Sequence, residues 1–339
     1  MRPGKLPHKM LADMLARIPG DDTRVVIGPR VGEDAAALDI GDRLLVAASD
    51  PITFATDLIG WYAVHVNAND VAVMGATPRW FLGTLLLPPT VEEEDVVRIF
   101  EQIVSACGDL GVAPIGGHTE ITMDIARPIL VGCMLGEVAY ESLLTSGGAR
   151  AGDVLILAGG IAIEGTAILA REAGEVLREK GMDSASVERA RDLLFDPGIS
   201  VVGAAETAAR VGGVTAMHDP TEGGLATGLR ELALASGVGL EIEAERVPVL
   251  ALARDACRLL TLDPLGLIAS GSLLIAARPD AADRIVTALR EESDDVAVIG
   301  HVVPQEKGLW LVQDGERRPL PEFARDEVAR FLEERGLTD

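Results

Sequence analysis

Short apolar runs separated by glycine- and proline-rich turns set the pattern of this chain, and helical spacing alternates with strand-like blocks. Leu11, Leu15 and Ile18 fall at helical spacing and Pro19-Gly20 closes them, so residues 1–24 read as an arm with a short helix. Residues 25–27 and 44–48 are apolar blocks of strand length around a turn-rich acidic segment, GPRVGEDAAALDIGD. Residues 60–75 form a helix with Ala63, Val66, Val71 and Met74 on or near one face, interrupted by an acid and two amides. A strand at 80–87 leads to a helix over 91–110, with acids in its first turn and Gly111 past its end. Strands follow at 112–115 and 128–136.

Ser146 to Asp153, SGGARAGD, has linker composition, and the expected division is an arm at 1–24, one domain at 25–148 and another at 149–339. The second half reads as strands at 154–158, 214–217, 239–242, 268–277 and 296–303. Its helices are expected near 166–180, 184–194, 200–211, 225–236 and 281–292. With 339 residues the chain is long enough for two cores, and this order suits α/β and α+β domains.

Composition sharpens the picture. Hydrophobic residues make up 48% and aromatics 3%, so Ala, Val, Leu and Ile build the core. The net charge of −23 repels nucleic-acid phosphates, which excludes a nucleic-acid partner. No stretch is apolar enough to span a membrane and no secretory leader precedes the first helix, so a cytoplasmic protein is expected. Cys107, Cys133 and Cys257 form no CxxC pair. Lysine occurs only at Lys5, Lys9, Lys180 and Lys307, which leaves no lysine cradle for phosphates, and Thr166 stands where a P-loop needs lysine.

Four acid-bearing turns recur instead: Gly32-Glu33-Asp34, Ser49-Asp50-Pro51, Gly116-Gly117-His118-Thr119-Glu120 and His218-Asp219-Pro220-Thr221-Glu222-Gly223-Gly224. Asp70 adds a helical acid beside Asn69. Converging carboxylates repel one another unless a hard cation such as Mg2+ holds them ionised, and paired glycines let backbone N–H groups approach a phosphate. A single Asp in such a turn equally suits an N-cap.

The ordered series VGEDAA, SDP, NANDVAVMGATPR, GGHTE, HDPTEGGLA and LIASGSLLIA resembles the PurM-like superfamily of aminoimidazole ribonucleotide synthetase, thiamine-monophosphate kinase, selenophosphate synthetase and HypE, over about residues 30–300. The NANDVAVMGA and DPTEGGLA segments look most like HypE. The resemblance implies an N-terminal α/β domain whose sheet pairs with that of a second copy to make a homodimer, a C-terminal α+β domain, and bound Mg-ATP. Asp34, Asp50 and Asp70 then match Mg2+ positions, with Glu120 as a substitute acid because His118 stands where HypE has aspartate. Gly32, Asn69, Gly116, Gly117, Asp219, Gly223 and Gly224 match nucleotide-binding positions, and His118, Glu120 and His218 are candidate acid–base groups. HypE proteins end in a cysteine that carries the reacting carboxamide, whereas this sequence ends RFLEERGLTD with no cysteine after Cys257. The expectation is phosphoryl activation of an amide or carbonyl oxygen on a small-molecule or protein-borne substrate, not the thiol-tail dehydration itself. A small-molecule kinase and a non-enzymatic nucleotide-binding homodimer stand as alternatives.

Overall fold

The computed structural model describes residues 6, 8–18, 20, 22–30, 32–53 and 57–336. Lys5, Val31 of the VGEDAA segment and the last three residues of the RFLEERGLTD end lie outside the described residues. The chain divides into two compact units: residues 17–143, and residues 144–339 joined by helix α1 (His8–Leu15). Among the described residues no helix is long and apolar enough to cross a membrane.

The 17–143 unit is one mixed sheet under two helices. Its strands are β1 (Val25–Ile27), β2 (Ala36–Asp39), β3 (Leu44–Ala48), β4 (Pro51–Ile52), β5 (Thr77–Leu87), β6 (Ala113–Ile121) and β7 (Ile129–Val138), and its helices are α2 (Ile59–Val73) and α3 (Glu93–Leu110). The order is β1-β2-β3-β7-β5-β6, with β4 beside β7. β5, α3 and β6 form a parallel crossover; every other pairing is antiparallel. β2 lies inside the stretch expected to be all turn.

α2 departs from the amphipathic expectation. Thirteen of its fifteen residues are buried, so no polar face is left for solvent. The helix packs on β7, with Val71 where a Cβ on Gly136 would be, and lies so close to α3 that a Cβ on Gly60 would strike the Ile99 carbonyl. Gln102 of α3 joins their ends, accepting from Gly60 N–H (3.0 Å) and donating to the Asp57 carbonyl (2.7 Å). Acids in its first turn and Gly111 in the left-handed conformation (φ 65°) bound α3 as its sequence predicts.

The second unit carries β8 (Val154–Ala158), α4 (Ile163–Glu172), α5 (Gly174–Glu179), α6 (Ser184–Asp192), α7 (Val202–Val211), β9 (Val214–His218), α8 (Gly224–Ser236), β10 (Gly239–Glu243), α9 (Ala251–Leu260), β11 (Leu273–Ala277), α10 (Pro279–Arg290), β12 (Val296–Val303), β13 (Leu309–Gln313), β14 (Glu316–Pro319) and α11 (Glu327–Glu334). The sheet runs β14-β13-β10-β12-β8-β11-β9. Leu155 and Leu157 of β8 pack with Leu225, Leu229 and Leu232 of α8, while α7 and α10 pair beside the same sheet. α4, α5, α6, α9 and α11 share a separate helical core. The single helix expected over 166–180 is α4 and α5, broken at Ala173, whose backbone leaves helical geometry (φ −126°, ψ 25°).

Candidate functional site

In the 17–143 unit the polar centre is built on α2. Asn67 is fully buried, and its side chain grips the backbone of Asp50: Oδ1 accepts the Asp50 N–H at 2.8 Å, and Nδ2 donates to the Asp50 carbonyl (3.3 Å) and the Ala63 carbonyl (2.8 Å). Gly132 of β7 completes the grip, donating its N–H to the Asp50 carbonyl (3.0 Å) while its own carbonyl accepts from Ser49 Oγ (2.8 Å). A Cβ at Gly132 would collide with the Asn67 amide. Asp50 is thereby fixed between β3 and β4. Two residues on from Asn67, Asn69 and Asp70 are also buried, at 1% and 7% exposure. An amide, an amide and a carboxylate on an otherwise apolar helix impose a desolvation cost that packing alone has no need of.

Asp34 is half-buried just ahead of β2, next to Gly32, which takes the left-handed conformation (φ 86°). Among the described residues Asp34, Asp50 and Asp70 do not bring their carboxylate oxygens together as a trio within 4.8 Å.

The GGHTE segment is strand, not turn. Gly116 and Gly117 lie within β6 at φ 147° and 149°, values open to glycine and costly for other residues. A Cβ on Gly117 would run into the Gly83 carbonyl of β5. Gly117 pairs with Gly83, and Gly83 with Gly132, so this row shares the Asn67 side of the sheet. His118 and Glu120, one and three residues on, alternate to the other side. Within one chain the strand therefore places His118 and Glu120 on the face away from the Asn67 row. His118 Nε2 lies 3.1 Å from Glu120 Oε2, and Thr122 Oγ1 donates to Glu120 Oε1 (2.8 Å). Thr122 first, and His118 after it, hold the exposed Glu120 carboxyl below its ordinary range.

In the other unit, β9 delivers His218 to the expected turn. His218 and Asp219 are buried at 4% and 2% exposure, and His218 Nε2 lies 3.1 Å from Glu231 Oε2 of α8, also buried. A carboxylate there fixes the ring's orientation and favours one tautomer. Gly223 and Gly224 turn the chain into α8 with φ of 81° and 67°. Their N–H groups are taken inside the chain: Gly223 donates to Asp326 Oδ2 (2.8 Å) and Gly224 to the Thr221 carbonyl (3.0 Å). These bonds, with the positive φ angles, fix the glycine end of the turn.

Gly132, Glu231 and Asp326 carry no signal in the sequence, and Asn67 shows there only as one of two amides on the helix. Asn67 was within reach, since it sits three residues before Asp70 on the same helical face. Glu231 is one helix away from its partner, and Asp326 lies 103 residues from Gly223, beyond any local pattern. Trp61 and Tyr62 pack edge to face, with ring centres 5.2 Å apart and Tyr62 buried. The three cysteines are free thiols: burial pushes Cys107 up to about 11 and Cys257 up to about 12, and raises Cys133.

Residues 32–138 match the model of the AIR synthase related protein N-terminal domain, and residues 150–310 the model of its C-terminal domain. The chain is similar to the carbamoyl dehydratase HypE of Cupriavidus necator, 33% identical over 84% of this chain and 80% of that protein. Its fold is similar to that of a hydrogenase maturation protein HypE solved in complex with ATP, with a TM-score of 0.74 at 24% identity, covering 96% of this chain and 97% of that one. It is also similar to thiamine monophosphate kinase of Aquifex aeolicus, with a TM-score of 0.66 at 22% identity over 84% of this chain and 92% of that one.

Proposed function

Because this chain belongs to the AIR synthase related protein family and matches its models in both domains, we propose that it binds Mg-ATP and transfers the γ-phosphoryl to an amide or carbonyl oxygen. The substrate oxygen attacks phosphorus and ADP leaves. A carbamoyl dehydratase among its relatives and an ATP complex among similar folds support this reading. The observation that carries it is the Asn67–Asp50 grip, which fixes an exposed carboxylate beside buried Asn69 and Asp70 as a rigid set of oxygen donors.

Carboxylate oxygens suit Mg2+, which favours hard donors and keeps several waters that phosphate oxygens replace. Asp34, Asp50 and Asp70 would hold Mg2+ separately or through its waters, since their oxygens form no trio around one ion, and the metal would neutralise charge on the transferred phosphoryl group. Acids in a unit whose sequence holds no lysine need that cation before a polyphosphate can approach. His218, steadied by Glu231, is one acid–base candidate, and the His118–Glu120 pair is another. The high pKa values of Cys107 and Cys257 keep both thiols neutral at pH 7, so neither carries the reacting group. β6 is an edge strand with all nine residues exposed, and a second copy pairing along it would make the homodimer.

The test is ADP release and thermal stabilisation by ATP with Mg2+, measured on the wild type and on Asp50→Asn and Asp70→Asn. Loss of at least about a hundredfold in turnover is expected in each variant with the fold retained, the scale of losing electrostatic support for a phosphoryl group. Full turnover in both variants refutes the assignment.

A further inference from the structure

The N-terminus of α11 anchors two separate loops. Asp326 caps the helix, with Oδ1 accepting the Val328 N–H at 2.8 Å, and its second oxygen, Oδ2, accepts the Gly223 N–H at 2.8 Å. Glu327 follows: its Oε2 accepts the Asp263 N–H at 3.2 Å, and its two oxygens take the Arg330 guanidinium at 2.7 and 2.9 Å. Asp263 in turn accepts from the Leu265 N–H at 3.0 Å. The Leu265 and Leu267 carbonyls stand where a Cβ on Gly224 would go, and the Phe323 ring stands where a Cβ on Gly266 would go. The 218–224 turn, the 263–268 loop and the 321–327 segment thus meet in one joint inside a single unit.

A helix cap alone has no use for this carboxylate. Serine or threonine caps as well with one oxygen and without burying a charge. Asp326 is 4% exposed, burial pushes its carboxyl up to about 6, and the neighbouring Glu222 pushes in the same direction. What a carboxylate adds is a second acceptor, and that acceptor is on Gly223.

We propose that Asp326 is a positioning residue for the 218–224 turn, anchoring its glycine end to α11 and so fixing where His218 and Asp219 stand. The assignment rests on the reading that this turn handles a proton in an ATP-dependent reaction. The anchor acts through the backbone, since Asp326 meets Gly223 N–H and neither His218 nor Asp219 in the hydrogen bonds it makes.

Asp326→Ser in the full chain separates the two duties, because a serine hydroxyl can still cap Val328 but is too short to reach Gly223 as well. Glu327→Gln serves as the control, loosening the neighbouring contacts and leaving the anchor in place. In Asp326→Ser, deuterium uptake by the 219–226 segment is expected to quicken about tenfold, as for one lost charge-assisted hydrogen bond. kcat for ADP release is expected to fall about tenfold with the ATP KM within about twofold, the signature of lost alignment and not of lost binding. Glu327→Gln should move neither. Unchanged uptake overturns the anchor, and quickened uptake with an unchanged kcat overturns its part in the reaction. A wild-type chain that releases no ADP refutes the ATP reading by itself, while the uptake measurement still decides whether Asp326 holds the turn.

Discussion

The residue that organises the first unit is an asparagine. Asn67 satisfies both backbone groups of Asp50 as a neighbouring strand would, and it does so from a helix because Gly132 leaves room for its amide. Replacing it with alanine strands the Asp50 N–H in a partly buried place. Asn67→Ala should therefore lower stability by about 1–3 kcal/mol, the cost of a buried donor left unmade. Chemical denaturation measures that loss, and a variant as stable as the wild type would show that water takes over the asparagine's role. Sequence made the acids visible as a series and left their supports hidden. Asp34, Asp50 and Asp70 sit in distinctive strings, whereas Asn67 and Gly132 matter only through a contact 65 residues apart.

At the scale of elements, α2 holds a fourth buried polar group besides Asn67, Asn69 and Asp70. His65 is 7% exposed, neither ring nitrogen is hydrogen-bonded, and its ring lies 4.4 Å from that of Trp61. Burial drives its pKa down from 6.5 to about 4, with Asp109 of α3 opposing weakly. The unfolded chain then takes up a proton that the folded chain refuses. Stability is complete above pH 6.5, falls as the pH drops through the window, and levels off below about 4, a loss of about 3 kcal/mol from this group. Denaturation midpoints of the wild type and His65→Leu across that window should diverge by this amount, and parallel curves would remove His65 as the cause.

The elements legible in sequence are those with their own punctuation. α3 has acids at its start and Gly111 after its end, and β8 is an uninterrupted apolar run between polar turns. β2 and the GGHTE half of β6 were hidden by composition, because alanines, glycines and acids suit a turn equally well. Their pairing with β3 and β5 decides the matter. α9 and α11 went unread although both are strongly one-sided, because α9 carries three charged residues among its apolar ones and α11 belongs to a charged end.

For the whole molecule, charge and edge strand act against each other. Each copy carries −23, and the proposed pairing along β6 brings two such charges together across an edge bearing Ile115 and Ile121. Raising the salt from about 10 to 150 mM shortens the screening length from about 30 to 8 Å, which should tighten the dimer. Sedimentation equilibrium at the two salt levels checks this. A dimer that loosens with salt would point to an interface held by ion pairs.

The near-complete burial of α2 has a consequence during synthesis. The helix leaves the ribosome with no polar face, and β7, which with α3 covers it, is completed only about 65 residues after Val73 has been added. At about 5–20 residues per second that delay is roughly 3 to 13 seconds. For those seconds the nascent chain presents a sticky apolar helix that carries the future site, and the cell must shield it until the sheet arrives.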